Sequence, residues 1–115
     1  MFRQHPVVPT DQSIELAGWL VMETELGERH LVGINLSRGS ARVSSAIETL
    51  DASTMQVTTQ TGHVYSLRGI GNVPMEAYLA WGLWCRNHAV LGWRDVTEEY
   101  ETAMRAYLSG SDYLQ

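Results

Sequence analysis

The side chains that could carry acid–base, nucleophilic or metal-ligand chemistry are few, because the 115-residue chain has four histidines and one cysteine. The histidines are His5, His30, His63 and His88. They are spread over the four quarters of the chain, and no two have the spacing of a local metal site. We therefore predict no metal site formed by neighbouring residues, and we expect neither a metal nor a cofactor.

Cys85 is the single thiol, and its neighbours in sequence are Trp84 and Arg86. A guanidinium and a histidine close to the thiol would favour the thiolate, which is the reactive form. The other interpretation is a small buried residue on the apolar side of a helix, as free cysteines usually are. The sequence favours burial.

Known catalytic motifs do not occur in the sequence, which contains no G-x-S-x-G, no H-E-x-x-H and no Walker loop. Gly69 and Gly71 match two glycines of a dinucleotide-binding fingerprint, but its third glycine position falls at Pro74. A proline there would block the close helix packing that the third glycine allows. We therefore predict that the protein is not an enzyme.

The longest apolar segment of helical length spans residues 74–88, and we expect the fold to be organised around it. One stripe of this helix comprises Ala77, Trp81, Trp84 and His88. Leu79 and Leu83 lie on a different side, so more than one flank must be covered. Trp81 and Trp84 are either core residues or anchors for a partner, since tryptophan is enriched in both places. The sequence leaves these two interpretations open.

The densest charge feature is a run of four carboxylates near the C-terminus. It comprises Asp95, Glu98, Glu99 and Glu101. Carboxylates at these positions cap a helix and complement its dipole, so a solvated helix start explains them. The alternative is an acidic patch that meets a basic surface on a partner, where it would raise association rate and specificity.

Segments rich in β-branched and aromatic residues precede the apolar helix, and Thr61 with Gly62 indicates a hairpin turn. Strands first and helices last are typical of an α+β fold. We predict an antiparallel sheet of about five strands in residues 14–68. Two helices, at about residues 74–88 and 96–109, are expected to pack on it.

The length of 115 residues predicts a single domain over residues 1–115. Residues 1–12 contain two prolines and few large apolar groups, so we expect an extended arm. Residues 111–115 are expected to form a tail.

The composition indicates a soluble, cytoplasmic protein. The net charge is −5, and all eight basic residues are arginines without a cluster, which disfavours binding to nucleic acid through its phosphates. One cysteine excludes an intramolecular disulfide. No segment has the pattern of a signal peptide or the length of a membrane span, so we expect no membrane partner.

Several segments between residues 45 and 97 follow a pattern seen elsewhere. They are residues 45–51, residues 58–67, Trp84, Cys85, Arg86, Asp95, Val96 and Thr97. From about residue 43 to residue 96 the chain resembles short uncharacterised proteins of proteobacteria and their phages and plasmids. The resemblance implies no activity. It implies a compact accessory protein of a mobile element that acts by binding a host complex, such as a defence or regulatory complex.

We therefore predict a small, non-catalytic accessory protein that binds another protein, for instance as an inhibitor. Seven of the ten aromatic residues and the acidic run follow Pro74, which places the contact in this half. The predicted partner-binding residues are Tyr78, Trp81, Trp84, Glu98, Glu99 and Glu101. A homodimer is a further option, because a small sheet exposes an edge.

Two other functions remain open from the sequence. One is a small enzyme or ligand-binding domain with a pocket between sheet and helix. Its candidate residues are Cys85, His88, Tyr65 and Arg68. The other is a nucleic-acid binder that uses arginines of the sheet, for which the candidates are Arg29, Arg42 and Arg68.

Overall fold

The structure, a computed structural model, describes residues 13–113, with side chains described as far as residue 107. The elements in this range are β1 (Ile14–Thr24), β2 (Arg29–Asn35), β3 (Ser40–Asp51), β4 (Gln56–Thr59), β5 (Val64–Arg68), α1 (Met75–Asn87), β6 (Trp93–Asp95) and α2 (Thr97–Tyr113). The α+β class and both helices are confirmed. The predicted arm of residues 1–12 and the last two residues of the predicted tail lie outside the described range, and α2 extends to Tyr113.

The first five strands form a closed barrel of mixed direction, so the prediction of a simple antiparallel sheet was wrong. Consecutive strands from β1 to β5 pair antiparallel, each with the next. β1 also pairs with β5 in parallel, with Ile14 opposite Tyr65 and Ala17 opposite Arg68. The first and last of five strands that run alternately up and down point the same way, so closing the barrel requires a parallel pair.

A kink at Gly18 lets β1 pair with several other strands. Gly18 has a φ of +53°, and the register of β1 against β2 shifts between Ala17 and Leu20. The first half of β1 pairs with β5, and its last residues pair with β6, where Met22 lies opposite Asp95. The sequence did not predict β6, because three exposed residues are too short for a period-two pattern.

Two apolar clusters form because alternate residues of β1 point to opposite faces of the barrel wall. The inner cluster contains Leu16, Trp19 and Val21 from β1, Val96 from the residue before α2, and Tyr100 and Met104 from α2. The outer cluster contains Leu20, Met22 and Val32 from the barrel and Ala77, Trp81 and Cys85 from α1. The two helices therefore bury their apolar residues in different clusters. The sequence predicted that more than one flank of the apolar α1 must be covered, but α2 does not cover the second flank.

Polar contacts hold the start of α2 to the middle of β1. The backbone N–H of Val21 donates to Thr97 Oγ1 at 2.9 Å, and the N–H of Val96 donates to the carbonyl of Val21 at 2.9 Å. The N–H of Thr97 donates to Asp95 Oδ1 at 2.8 Å. Asp95, one of the carboxylates that the sequence placed at a helix start, thus satisfies a free donor there.

Glu23 joins three strands at one end of the barrel. Its Oε1 lies 3.1 Å from Arg94 on β6 and 3.1 Å from Arg29 on β2. The hydrogen bond from Arg94, supported by the one from Arg29, lowers the pKa of the Glu23 carboxyl below its usual value.

This lowered pKa makes part of the stability depend on pH. A carboxyl whose pKa is lower in the folded chain contributes stability that is complete above its unfolded-state pKa and lost as the pH falls through the folded-state pKa. We expect Glu23→Gln to flatten the fall in unfolding free energy between about pH 5 and about pH 3. Urea titrations across this range would measure it, with the exposed Glu48→Gln as control. Equal acid dependence in all three proteins would contradict the role of Glu23.

Candidate functional site

Four large apolar side chains lie together on the solvent side of α1. They are Met75, Tyr78, Leu79 and Leu83, which we call the helix face, and each is between 44% and 66% exposed. At about 100° per residue they lie roughly 60° to 200° around the helix from Trp81, the centre of the buried side. An amphipathic helix normally presents polar residues there, so the helix face is an apolar surface without a cover among the described residues.

Gly82 lies within the helix face, and because it has no side chain the helix backbone is accessible there. A Cβ added at Gly82 would meet no heavy atom within 4 Å, so the space above the backbone is open. Gly82 costs helix stability relative to alanine, by about 1 kcal/mol. A partner could therefore approach the backbone between Leu79 and Leu83 more closely than elsewhere on α1.

The opposite flank of α1 carries a ladder of aromatic rings. Trp81 stacks on Trp84 with ring centroids 5.3 Å apart, and Trp84 stacks on His88 at 4.0 Å. His30 of β2 meets Trp84 at 4.5 Å, and Trp93 of β6 meets Trp81 edge-on at 6.1 Å. These contacts fix the rotation of α1 on the barrel, which in turn sets the direction of the helix face.

A cavity of about 500 Å³, which we call the histidine pocket, lies between the barrel and the C-terminal end of α1. Its polar and aromatic lining includes Glu25, Glu28, His30, Gln60, Trp84 and His88. The N–H of His88 donates to the carbonyl of Trp84 at 3.0 Å and ends α1, so the helix terminus forms one wall.

His30 is 4% exposed and has a defined tautomer. Its Nδ1 lies 2.9 Å from the carbonyl oxygen of Ser44, which can only accept, so Nδ1 carries the proton. In the neutral ring Nε2 is then an acceptor, and it has no hydrogen-bond partner among the described residues. The carboxylate Oε1 of Glu28 lies 3.9 Å from this nitrogen.

Glu25 fastens the loop after α1 to the turn between β1 and β2. Its carboxylate accepts hydrogen bonds from the backbone N–H groups of Leu91 and Gly92, both at 3.2 Å. These bonds, that of Leu91 first, lower the pKa of Glu25. The side chain of Glu25 is therefore occupied in holding the rim of the histidine pocket.

The aromatic residues predicted to bind a partner occupy three different environments. Trp81 is 1% exposed and belongs to the outer cluster, which answers for this residue the question that the sequence left open. Trp84 is half-buried against the same cluster, and Tyr78 is exposed on the helix face. Of the three, Tyr78 is thus the most accessible to a partner.

The predicted acidic contact residues lie on the first two turns of α2. Glu98 and Glu99 are exposed, and Glu101 is half-buried. Glu99 is paired with Arg29 of β2 at 3.1 Å. Since α1 and α2 contribute to different clusters, the acidic residues and the helix face are two separate candidate contact regions, and the role of the carboxylates stays a prediction.

Residues proposed for a ligand pocket are not brought together as the sequence suggested. His88 lines the histidine pocket, but Tyr65 is buried in the barrel and its hydroxyl accepts a hydrogen bond from Arg42 at 2.8 Å. Arg68 is paired with Glu15 at 2.9 Å. Burial, with a smaller effect of the Glu25 charge, raises the pKa of the Cys85 thiol, which disfavours the thiolate.

The arginines proposed for nucleic-acid binding each have a partner within the chain. Arg29 pairs with Glu23 and Glu99, Arg42 donates to the Tyr65 hydroxyl, and Arg68 pairs with Glu15. Guanidinium groups held in this way are less available to phosphates than free ones.

Sequence reasoning missed His30 and Glu28 as site residues. A signal was present for His30, because alternation along β2 places it on the same face as Val32, which packs under α1. The off-stripe position of Leu79 and Leu83 was seen, but their exposure depends on where α2 packs. That position is set by contacts between distant segments.

Among the described residues, no cluster of three or more histidine, cysteine, aspartate or glutamate side chains is placed to hold a metal ion. No helix in residues 13–113 combines the length and apolar character needed to cross a membrane. Comparison with known proteins gives no matching family model, no matching curated protein and no matching solved structure. The function must therefore be inferred from the surfaces themselves.

Proposed function

We propose that this protein is a non-catalytic binding domain that docks another protein on the helix face of α1. The observation that carries the proposal is the exposure of Met75, Tyr78, Leu79 and Leu83 on one side of a helix. Apolar surface of this kind is stabilised when a partner removes it from water. The proposal extends to the class of partner that the resemblance to accessory proteins implies, which is a host protein complex.

The framework of α1 supports docking with little rearrangement. Trp81 and Cys85 anchor the opposite side of the helix in the outer cluster, and the aromatic ladder fixes its rotation. Side chains presented by a packed helix lose less conformational freedom on binding than those of a mobile loop. The side chains of the helix face are spaced by about four positions. A partner with an amphipathic groove or a helix of its own would match this spacing.

The test is affinity capture of the tagged protein from a proteobacterial lysate, with variants that place a charge on the helix face. We expect Leu79→Glu and Leu83→Glu each to reduce the amount of the specifically captured protein about tenfold or more, because a charge in a desolvated apolar contact is costly. Both side chains are exposed, so the variants should unfold at the same urea concentration as the parent protein.

Leu36→Glu is the matched control, because it makes the same chemical change at an exposed leucine in the turn between β2 and β3. Its capture should equal that of the parent protein. Equal capture by the two helix-face variants would refute the placement of the interface. If the captured protein is a second copy of this chain, light scattering of the purified protein would show a dimer that Leu79→Glu converts to a monomer.

A further inference from the structure

Two hydrogen-bond acceptors face each other in the wall of the histidine pocket, and no donor from residues 13–113 lies between them. His30 Nε2 lies 3.9 Å from Glu28 Oε1, and His30 Nδ1 is committed to the carbonyl of Ser44. His30 is almost fully buried, and a buried acceptor without a hydrogen-bond partner destabilises the folded protein. A group that donates to both atoms would remove this destabilisation.

The charges around the cavity define which donors fit. Among the described residues no arginine lines the cavity, whereas two carboxylates, Glu25 and Glu28, do. Glu25 already accepts from the backbone of Leu91 and Gly92, so Glu28 holds the available negative charge. The lining therefore disfavours anions and favours a cation with several N–H groups.

We propose that the histidine pocket binds an alkyl-guanidinium or alkyl-ammonium group, which donates hydrogen bonds to His30 Nε2 and Glu28 Oε1. Its alkyl chain would lie against the apolar surface of Trp84, Val43 and Val90, which also line the cavity. The volume of about 500 Å³ is within the range of small-ligand sites. Neither His30 nor Glu28 belongs to the helix face, so a test of this site is independent of a test of protein docking there.

One competing state is internal to the protein. A second proton on the His30 ring would turn Nε2 into a donor to Glu28, and the pair would then need no ligand. The protonation state of this one nitrogen distinguishes the two arrangements, and ¹⁵N NMR of the imidazole reports it directly.

The experiment is an NMR titration of the full chain at about pH 8, where imidazoles are generally neutral. Butylguanidinium chloride is the probe, and sodium butyrate is the anion matched in chain length. We expect an unprotonated His30 Nε2 in the free protein. Butylguanidinium should shift this nitrogen and the Trp84 indole N–H saturably, with a Kd of about 1 mM for a fragment of this size. Butyrate should shift neither.

Glu28→Gln should weaken butylguanidinium binding about tenfold, because it removes the charge while keeping an oxygen acceptor. Glu28 is half exposed, so this variant should fold. The control is Glu76→Gln at the exposed start of α1, which should leave the Kd unchanged. A blocked Gly-Arg-Gly peptide distinguishes the source of the cation: binding as tight as butylguanidinium indicates a protein side chain, and much weaker binding indicates a free small molecule.

Three results would overturn the proposal. The first is a His30 ring that is already doubly protonated in the free protein. The second is the absence of saturable shifts up to about 50 mM butylguanidinium, far above the expected Kd. The third is equal binding of butyrate.

Discussion

Gly18→Ala is expected to lower the free energy of unfolding by about 3 kcal/mol, since it combines a strained backbone with a steric clash. Gly18 has a φ of +53°, a conformation that residues with a Cβ adopt at a cost. A Cβ at this position would lie 2.6 Å from Pro74 Cδ and 3.0 Å from the carbonyl oxygen of Asn72. The residue therefore permits both the kink of β1 and the approach of the segment that starts α1.

Two other glycines provide matched controls for this substitution. Gly62 has a φ of +87° with open space around it, so Gly62→Ala should show the conformational cost without the clash. Gly82→Ala, in the middle of α1 and unobstructed, should instead stabilise by about 0.5–1 kcal/mol. Urea unfolding of the three variants would measure these differences. A Gly18→Ala protein no less stable than Gly62→Ala would contradict the close approach of Pro74.

Trp81→Ala is expected to destabilise the protein by about 3–5 kcal/mol, as truncation of a large buried aromatic residue generally does. Trp81 projects from α1 into the outer cluster, where its ring packs against those of Trp84 and Trp93. Its indole Nε1 has no hydrogen-bond partner among the described residues, so Trp81→Phe should cost only packing and remain closer to the parent protein. The measurement is again urea unfolding, followed by tryptophan fluorescence or circular dichroism.

Leu79→Ala tests whether α1 is rotated as described. Leu79 is two positions before Trp81 but on the exposed side, so its truncation should change stability by less than about 0.5 kcal/mol. Similar losses of stability in Trp81→Ala and Leu79→Ala would mean that the helix buries a different side. The helix face would then not be a free surface.

Local patterns in the sequence were sufficient for the first five strands, both helices and their order, but not for β6. The helix predicted at residues 74–88 is α1, Met75–Asn87, because apolar periodicity and Pro74 both act within one segment. The hairpin turn at Thr61 and Gly62 was also predictable, since Gly62 supplies the positive φ that the turn needs. Closure of the barrel was not predictable, because it depends on how the part of β1 before its kink at Gly18 meets β5 about fifty residues later.

The candidate sites likewise depend partly on local sequence patterns and partly on contacts between segments that are distant in sequence. Periodicity placed Leu79 and Leu83 away from the tryptophan stripe, but it could not show that α2 would cap the barrel interior and leave them uncovered. His30 belongs to a short strand with a regular apolar pattern, and its significance arises from Ser44 and Glu28, which three-dimensional packing brings to its two nitrogens. Cys85 was the candidate nucleophile among the residue types, although the sequence favoured its burial, and burial raises the pKa of its thiol.

A protein whose apolar helix side is uncovered has two physical outcomes, namely association with a partner or association with itself. The four apolar residues of the helix face follow one another at about the spacing of a helix turn, so they form a strip along α1. This geometry favours a partner that presents a complementary helix or groove over scattered, nonspecific contacts.

Site-specific photo-crosslinking tests the role of the helix face most directly. Benzoylphenylalanine would be placed at position 79, and in separate proteins at positions 98 and 101 on α2, before irradiation in the lysate used for capture. The helix-face proposal predicts one discrete cross-linked product from position 79 and none from positions 98 and 101. Cross-linking from the α2 positions without any from position 79 would contradict it and place the interface at the acidic run instead.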